Sequence, residues 1–84
     1  MTAVKVTVKL FAAYQEAYGQ TEIVLELPVG TTVGEICDRI RAPYPELENL
    51  KEVTRYGLNL AFVDAETPVQ EGDEVVLIPP VSGG

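Results

Sequence analysis

The sequence predicts an α+β domain in which one main helix packs across one face of a mixed sheet of about five strands. Three observations support this prediction. Apolar and polar residues alternate near the start of the chain, as they do in half-buried strands. A stripe of apolar residues with helical spacing occupies the middle of the chain. An unbroken apolar run near the end, at residues 75–78, is typical of a central strand covered on both faces.

The first third predicts two antiparallel strands joined through a short helix. Residues 4–10 place valine and leucine at every second position, and residues 23–27 do the same with isoleucine and leucine. Between them, residues 12–18 are compatible with a helix, and Gly19 follows at the position where many helices end. The connection is short, so the two strands are expected to pair like a hairpin.

The middle of the chain predicts the main helix. Thr32 and Glu35 fit a capping box, in which each side chain bonds a backbone amide at the helix start. Pro43 and Pro45 end the helix at about Ala42. The apolar stripe on one face of this helix consists of Val33, Ile36, Cys37 and Ile40.

The last third returns to strands. Residues 54–58 and 61–63 predict two short strands around a turn at Asn59 and Leu60, and residues 71–73 form a second turn. The order of elements is therefore ββαβββ, in which the helix can bury its stripe only against the sheet. This is the β-grasp, or ubiquitin-like, arrangement. It places the first and last strands, residues 4–10 and 75–78, parallel and adjacent at the centre.

The composition narrows the function classes. With 6 Lys and Arg against 13 Asp and Glu, the net charge is −7, which argues against nucleic acids and anionic membranes as partners and favours a basic groove on a protein partner. Residues 1–10 lack the apolar run of a signal peptide, and no stretch approaches the ~18 apolar residues of a membrane span. We therefore expect a cytoplasmic protein.

The side chains that most often carry catalysis or metals are scarce. Histidine is absent, so Ser-His and Cys-His pairs are excluded. Cys37 is the only cysteine, which excludes an internal disulfide, a CxxC motif and a four-cysteine cluster. Its place on the helical stripe predicts a core residue rather than a sulfur-handling thiol. The acidic group Glu46, Glu48 and Glu52 is interpreted as a solvated loop rather than a metal site.

The chain ends in a segment suited to reaching into another protein. We divide it into a β-grasp domain, residues 1–78, and an extended tail, residues 79–84, which reads Pro79, Pro80, Val81, Ser82, Gly83 and Gly84. The prolines favour a stiff extended exit, and the glycines remove side chains near the end. Six extended residues span roughly 20 Å. A merely frayed terminus is the alternative, but it would have no need of prolines before its glycines.

The terminal carboxylate of Gly84 is therefore the candidate reactive group. A carboxylate becomes a good electrophile once an oxygen is made a leaving group. Adenylation by ATP would do this, and a sulfur donor could then displace AMP to leave a thiocarboxylate. The bare glycine backbone would allow an activating enzyme to bring phosphate close.

Strand alternation predicts an apolar patch on the helix-free face of the sheet. If the valines of the first strand face the helix, Phe11 faces the other way, together with Val76 and Ile78 in the last strand. Leu60 is expected to extend this patch. Exposed apolar patches usually mark binding surfaces. The alternative is a sheet face covered by a loop.

Several motifs together resemble the small subunit of molybdopterin synthase, which belongs to the ubiquitin-like sulfur carriers. The resemblance covers essentially the whole chain, and its most specific part is the Pro-Pro-Val-Ser-Gly-Gly ending. The other matching pieces are residues 10–12 with Glu16 and Gly19, residues 63–64 with Thr67 and Pro68, and residues 71–75. The chain departs from the family's usual pattern at Tyr14 and Gln15, and at Leu60, where glycine is common.

The resemblance implies a carrier that is itself non-catalytic and binds no cofactor. An adenylyltransferase resembling ubiquitin-activating enzymes would use ATP to activate Gly84, and a sulfurtransferase system would form the thiocarboxylate. The tail, residues 79–84, would then enter the large synthase subunit, which holds the catalytic residues and contacts the patch of Phe11, Leu60, Val76 and Ile78. Sulfur would pass to a pterin precursor of the molybdenum cofactor. The family's synthase is a heterotetramer.

Two other function classes stay open. A carrier for another pathway, such as thiamine, cysteine or tRNA thiolation, or a ubiquitin-like modifier joined to lysines, would share the chemistry at Gly84. A plain β-grasp adaptor would have no need of an unblocked Gly-Gly end.

Overall fold

The structure is a computed structural model and describes residues 3–79. Five strands form one mixed sheet, and the main helix packs across one face of it. The elements in chain order are β1 (Ala3–Leu10), α1 (Ala12–Tyr18), β2 (Glu22–Pro28), α2 (Val33–Arg41), a 3₁₀ helix (Pro45–Leu50), β3 (Arg55–Leu58), β4 (Ala61–Val63) and β5 (Glu74–Ile78). No helix within residues 3–79 is both long and apolar enough to cross a membrane.

The strand order across the sheet is β2-β1-β5-β3-β4. Strand β1 pairs antiparallel with β2 and parallel with β5, with Thr7 opposite Glu74 and Leu10 opposite Leu77. Strand β3 joins β5 to β4 through two antiparallel pairings. The predicted β-grasp fold and the predicted central parallel pair are therefore confirmed.

Local signals in the sequence set the helix ends. Thr32 Oγ1 accepts a hydrogen bond from the Glu35 amide at 3.2 Å, and Glu35 Oε1 accepts one from the Thr32 amide at 2.9 Å. This is the predicted capping box. Helix α1 ends at Gly19, whose φ of 69° is readily adopted by glycine.

The core lies between the sheet and α2. Val6, Val8, Val75 and Leu77 face the helix from the central strands and are almost fully buried. The predicted stripe of α2, Val33, Ile36, Cys37 and Ile40, covers them and is equally buried. Leu47 of the 3₁₀ helix closes one end of the same core.

Two sequence-based expectations about the late strands were inexact. Strand β3 begins at Arg55 rather than Thr54, because the amide and hydroxyl of Thr54 both donate to the carbonyl of Leu50 and tie it to the 3₁₀ helix. The expectation that β5 is covered on both faces was wrong for the helix-free face. There, Val76 and Ile78 are only half-buried among the described residues.

Candidate functional site

The root of the tail lies at the end of the central strand β5. Ile78 is the last residue of β5 and pairs with Arg55 of β3, and Pro79 follows it. The remaining tail residues predicted to matter lie outside the described residues: Pro80, Val81, Ser82, Gly83 and Gly84. The central strand therefore carries the chain directly to the start of the tail.

An apolar groove of about 470 Å³ adjoins this root on the helix-free face. The predicted patch residues are brought together here. The residues lining the groove are Phe11, Gly57, Leu60, Ala61, Phe62, Val76 and Ile78. The exposed fractions of Phe62 and Leu60, 74% and 95%, show that these side chains stand open to solvent.

The floor of the groove depends on a glycine. Gly57 lies between Val76 of β5 and Phe62 of β4 in the sheet. A Cβ at this position would lie 3.4 Å from the Cβ of Val76, so a larger side chain would stand up between the two neighbours and fill the groove. Glycine is disfavoured in strands, and where it occurs it often marks a place where a ligand or another backbone approaches closely.

Sequence reasoning missed Gly57, Ala61 and Phe62. The signal that could have found the pair Gly57 and Phe62 is the two-residue turn at Asn59 and Leu60. Such a turn fixes the register of its flanking strands, which sets Gly57 opposite Phe62.

The turn that presents Leu60 is held by hydrogen bonds. The amide of Asn59 donates to the carbonyl of Glu74 at 3.0 Å, and the amide of Glu74 donates to Asn59 Oδ1 at 3.0 Å. Asn59 Nδ2 also donates to Asp73 Oδ1 at 2.9 Å. Asn59 and Leu60 have φ values of 51° and 73°, as a two-residue hairpin turn of this kind requires. The turn is therefore fixed to the start of β5.

A small charged cluster borders the groove on the side of β1. Lys9, which pairs with Val76 across the strands, lies 2.9 Å from Glu22 Oε1 and 3.7 Å from Glu74 Oε2. The hydrogen bond to Glu22 raises the pKa of Lys9 above its ordinary value. One ammonium thus faces two carboxylates, which leaves this rim net negative, in keeping with the expectation of a basic partner surface.

Cys37 lies away from the groove, on the other side of the sheet. Its thiol is fully buried and accepts a hydrogen bond from Arg41 Nη1, while Tyr14 Oη lies 4.0 Å away. The hydroxyl of Thr54 donates to the carbonyl of Leu50, so its oxygen accepts a hydrogen bond from the hydroxyl of Tyr14, with 2.7 Å between the two oxygens. Burial raises the pKa of Cys37, despite the nearby Arg41. The prediction that Cys37 is a core residue is confirmed.

Comparison with known proteins shows which proteins this chain is similar to. A family model described as the ThiS family matches residues 8–84. The molybdopterin synthase sulfur carrier subunit of Arabidopsis thaliana is 32% identical over 83 residues, which is 99% of this chain and 86% of that protein.

Solved structures share the fold. Small archaeal modifier protein 1 from Haloferax volcanii is 27% identical, with a TM-score of 0.79 over 95% of this chain and 99% of that chain. Subunit 1 of the molybdopterin-converting factor of Helicobacter pylori, solved in complex with subunit 2, has a TM-score of 0.65 over 96% of this chain and 100% of that chain. At 24% identity, the latter match speaks for the fold alone.

Proposed function

Because the chain belongs to the ThiS family of ubiquitin-like sulfur carriers, we propose that it is the sulfur carrier of molybdenum cofactor synthesis and that Gly84 carries the sulfur. One observation carries the proposal beyond the family. The tail follows directly after Ile78, and Ile78 also lines the apolar groove. We therefore expect a protein that encloses the whole tail to contact the groove as well.

The proposed chemistry takes place entirely at the terminal carboxylate. An oxygen of the Gly84 carboxylate attacks the α-phosphorus of ATP, and pyrophosphate leaves as the acyl-adenylate forms. A sulfur nucleophile at the oxidation level of sulfide then attacks the carbonyl carbon. The bond from that carbon to the AMP oxygen breaks, AMP leaves, and a thiocarboxylate stands at the end of the tail. The ATP is bound by the activating enzyme and not by this chain.

The proposed partners follow from the arrangement of tail and groove. The large subunit of molybdopterin synthase would receive the tail, residues 79–84, while its surface covers the groove. There the thiocarboxylate sulfur would pass to the pterin precursor. The Arabidopsis thaliana relative, a sulfur carrier subunit of molybdopterin synthase, supports this pairing. A heterotetramer with two copies of each subunit is the assembly we propose.

The likeness to small archaeal modifier protein 1 supports a second candidate. In that case the activated Gly84 would be joined to lysine side chains of other proteins. Both candidates need the same acyl-adenylate, and they differ in the nucleophile that displaces AMP: sulfur in the first and a lysine amine in the second.

Changing the tail length by one residue tests the reactive position. Deleting Gly84 leaves a carboxylate on Gly83, but shortens the arm by about 3.5 Å. Reacting atoms must approach within about 3–3.5 Å, so we expect thiocarboxylate formation to fall by orders of magnitude. One extra residue beyond Gly84 should fail in the same way. The measurement is the intact mass of the carrier after incubation with its activating enzyme, ATP and a sulfur donor.

The matched control adds one residue before Met1, which changes the mass equally but leaves the tail untouched. This control should be thiocarboxylated like the unaltered protein. Normal thiocarboxylation of the deleted or extended tail would contradict the assignment of Gly84. Attachment to lysines of other proteins, with no sulfur at the terminus, would replace the first candidate by the second.

A further inference from the structure

Backbone strain is concentrated around the groove. Among residues 3–79, the non-glycine residues with positive φ are Ala12 at 50°, Asn59 at 51° and Leu60 at 73°. Ala12 directly follows the groove residue Phe11, and Leu60 lines the groove itself. Asparagine tolerates this region of φ, whereas alanine and leucine rarely enter it. Strain of this kind persists where the surroundings impose it, and it clusters at functional sites.

Among residues 3–79, the side chain of Leu60 is left almost fully exposed by this conformation. Its side chain is 95% exposed, so it contributes almost no burial to folding. The hydrogen bonds of Asn59 to Glu74 and Asp73 keep the turn from relaxing. The same turn would form with glycine at position 60 at less strain. A leucine here therefore lowers stability without a compensating contact among the described residues.

We infer that Leu60 is a preorganised anchor that inserts into an apolar pocket of the large synthase subunit. This inference rests on the proposed function. The fixed turn holds the side chain in its bound position before contact, so little conformational freedom is lost on binding. Leu60 thus determines affinity for this partner, beyond the general apolar character of the groove.

The occupant of the groove is argued from the position of the tail root and from charge. The subunit that takes the tail must reach Ile78, and Ile78 and Leu60 line the same groove. A second copy of this chain fits poorly, because each copy carries a net charge of −7 and the rim formed by Lys9, Glu22 and Glu74 is net negative. The partner surface is therefore apolar at its centre and basic opposite that rim.

Because the backbone of Leu60 is strained, replacing it distinguishes a role in binding from a role in folding. Leu60→Gly relieves the backbone strain and removes the anchor, so affinity should fall without a loss of stability. We expect the Tm to be equal to or higher than that of the unaltered protein, and the Kd for the large subunit to rise about tenfold or more. Leu60→Asn, which tolerates the same φ but is polar, should behave alike. Thermal unfolding and titration calorimetry measure the two quantities.

The control is Val24→Thr, since Val24 is an exposed apolar residue on the same face of the sheet but in β2, away from the groove. It should leave both quantities unchanged. A higher Kd without a lower Tm in both Leu60 variants supports the inference, and any other combination overturns it. If the unaltered protein does not bind the large subunit, both the proposed function and this inference are wrong. Normal binding by Leu60→Gly overturns the inference alone.

Discussion

The two faces of the sheet are built from the same strands and differ in what covers them. On one face, Val75 and Leu77 of β5 lie beneath α2 and have no exposed surface. On the other, Val76 and Ile78 of the same strand are half-buried and lie open beside Phe62. The sequence is apolar on both faces, so hydrophobicity alone does not distinguish them.

The difference separates stability from recognition within a single strand. Residues beneath the helix stabilise the fold because their burial is complete in the free chain. Residues of the groove have apolar surface that the other described residues leave exposed, and they adjoin the tail that we propose carries the chemistry. Substitutions on the two faces should therefore have different consequences even at neighbouring positions.

The largest effect should come from the covered face. Leu77→Ala removes buried methyl groups and leaves a cavity between β5 and α2, and such changes lower the free energy of unfolding by about 2–5 kcal/mol. For a domain of this size that is a large part of the whole. Urea unfolding followed by circular dichroism measures the change.

Val76→Ala is the matched control for this prediction, since the neighbouring side chain is of similar kind but faces the groove. It should lower the free energy of unfolding much less. Equal losses for the two variants would show that the groove is packed like the core, and that the proposed distinction between the faces is wrong.

On the open face, Ile78→Lys should abolish binding and leave the fold intact. An ammonium group at the root of the tail would be buried without a partner under the large subunit, which is strongly unfavourable. We expect the Kd to rise about a hundredfold or more. In the free protein the new side chain can reach water, so the Tm should change little.

The control for Ile78→Lys is Val24→Lys, which places the same charge on the same face at the distant edge strand β2. It should bind normally. Binding by Ile78→Lys with unchanged affinity would place the partner elsewhere and remove the groove from the proposed interface.

Much of this arrangement could be predicted because periodicity directly encodes which face of an element is buried. The apolar stripe of α2 and the alternation in β1 predicted which face of the sheet is covered. The alternation of side chains along the strands then placed Phe11, Val76 and Ile78 on the other face. Gly57 and Phe62 were missed because strands β3 and β4 are only 4 and 3 residues long. So few residues carry little periodic signal, and the predicted turn at Asn59 and Leu60 was not used to set their register.

The wrong expectation about β5 and the unforeseen backbone conformation of Leu60 both concern what the sequence leaves open. An unbroken apolar run predicts cover on both faces, but the sequence does not say whether that cover comes from the same chain or from a partner. Likewise, Leu60 gives no sign in the sequence of its φ of 73°, which follows from the hydrogen bonds of Asn59 with Asp73 and Glu74. Tyr14, a departure from the family's pattern, proves to be a core residue. The reactive end of the tail stays a prediction.

The smallest expected effect concerns pH and the covered face. Cys37 faces Tyr14, Arg41 and Tyr56, and burial raises its pKa above the ordinary value. The folded protein therefore keeps the thiol proton at a pH where the unfolded chain has lost it. Stability should fall as the pH rises above the unfolded value of about 8.5. The pKa of Tyr14 is also raised by burial, which continues the fall at higher pH.

Cys37→Ala should make this decline shallower between about pH 8 and 9.5, because the thiol would no longer contribute to it. The slope is compared rather than the level, since the variant also loses some packing. Labelling with a thiol reagent gives the second measurement. Because the thiol of Cys37 is buried and little of it is ionised, the folded protein should react far more slowly than the unfolded chain. Equal slopes would contradict the assigned pKa shift. Fast labelling of the folded protein would show an accessible thiol on the face that we describe as closed, and would reopen a sulfur-handling role for Cys37.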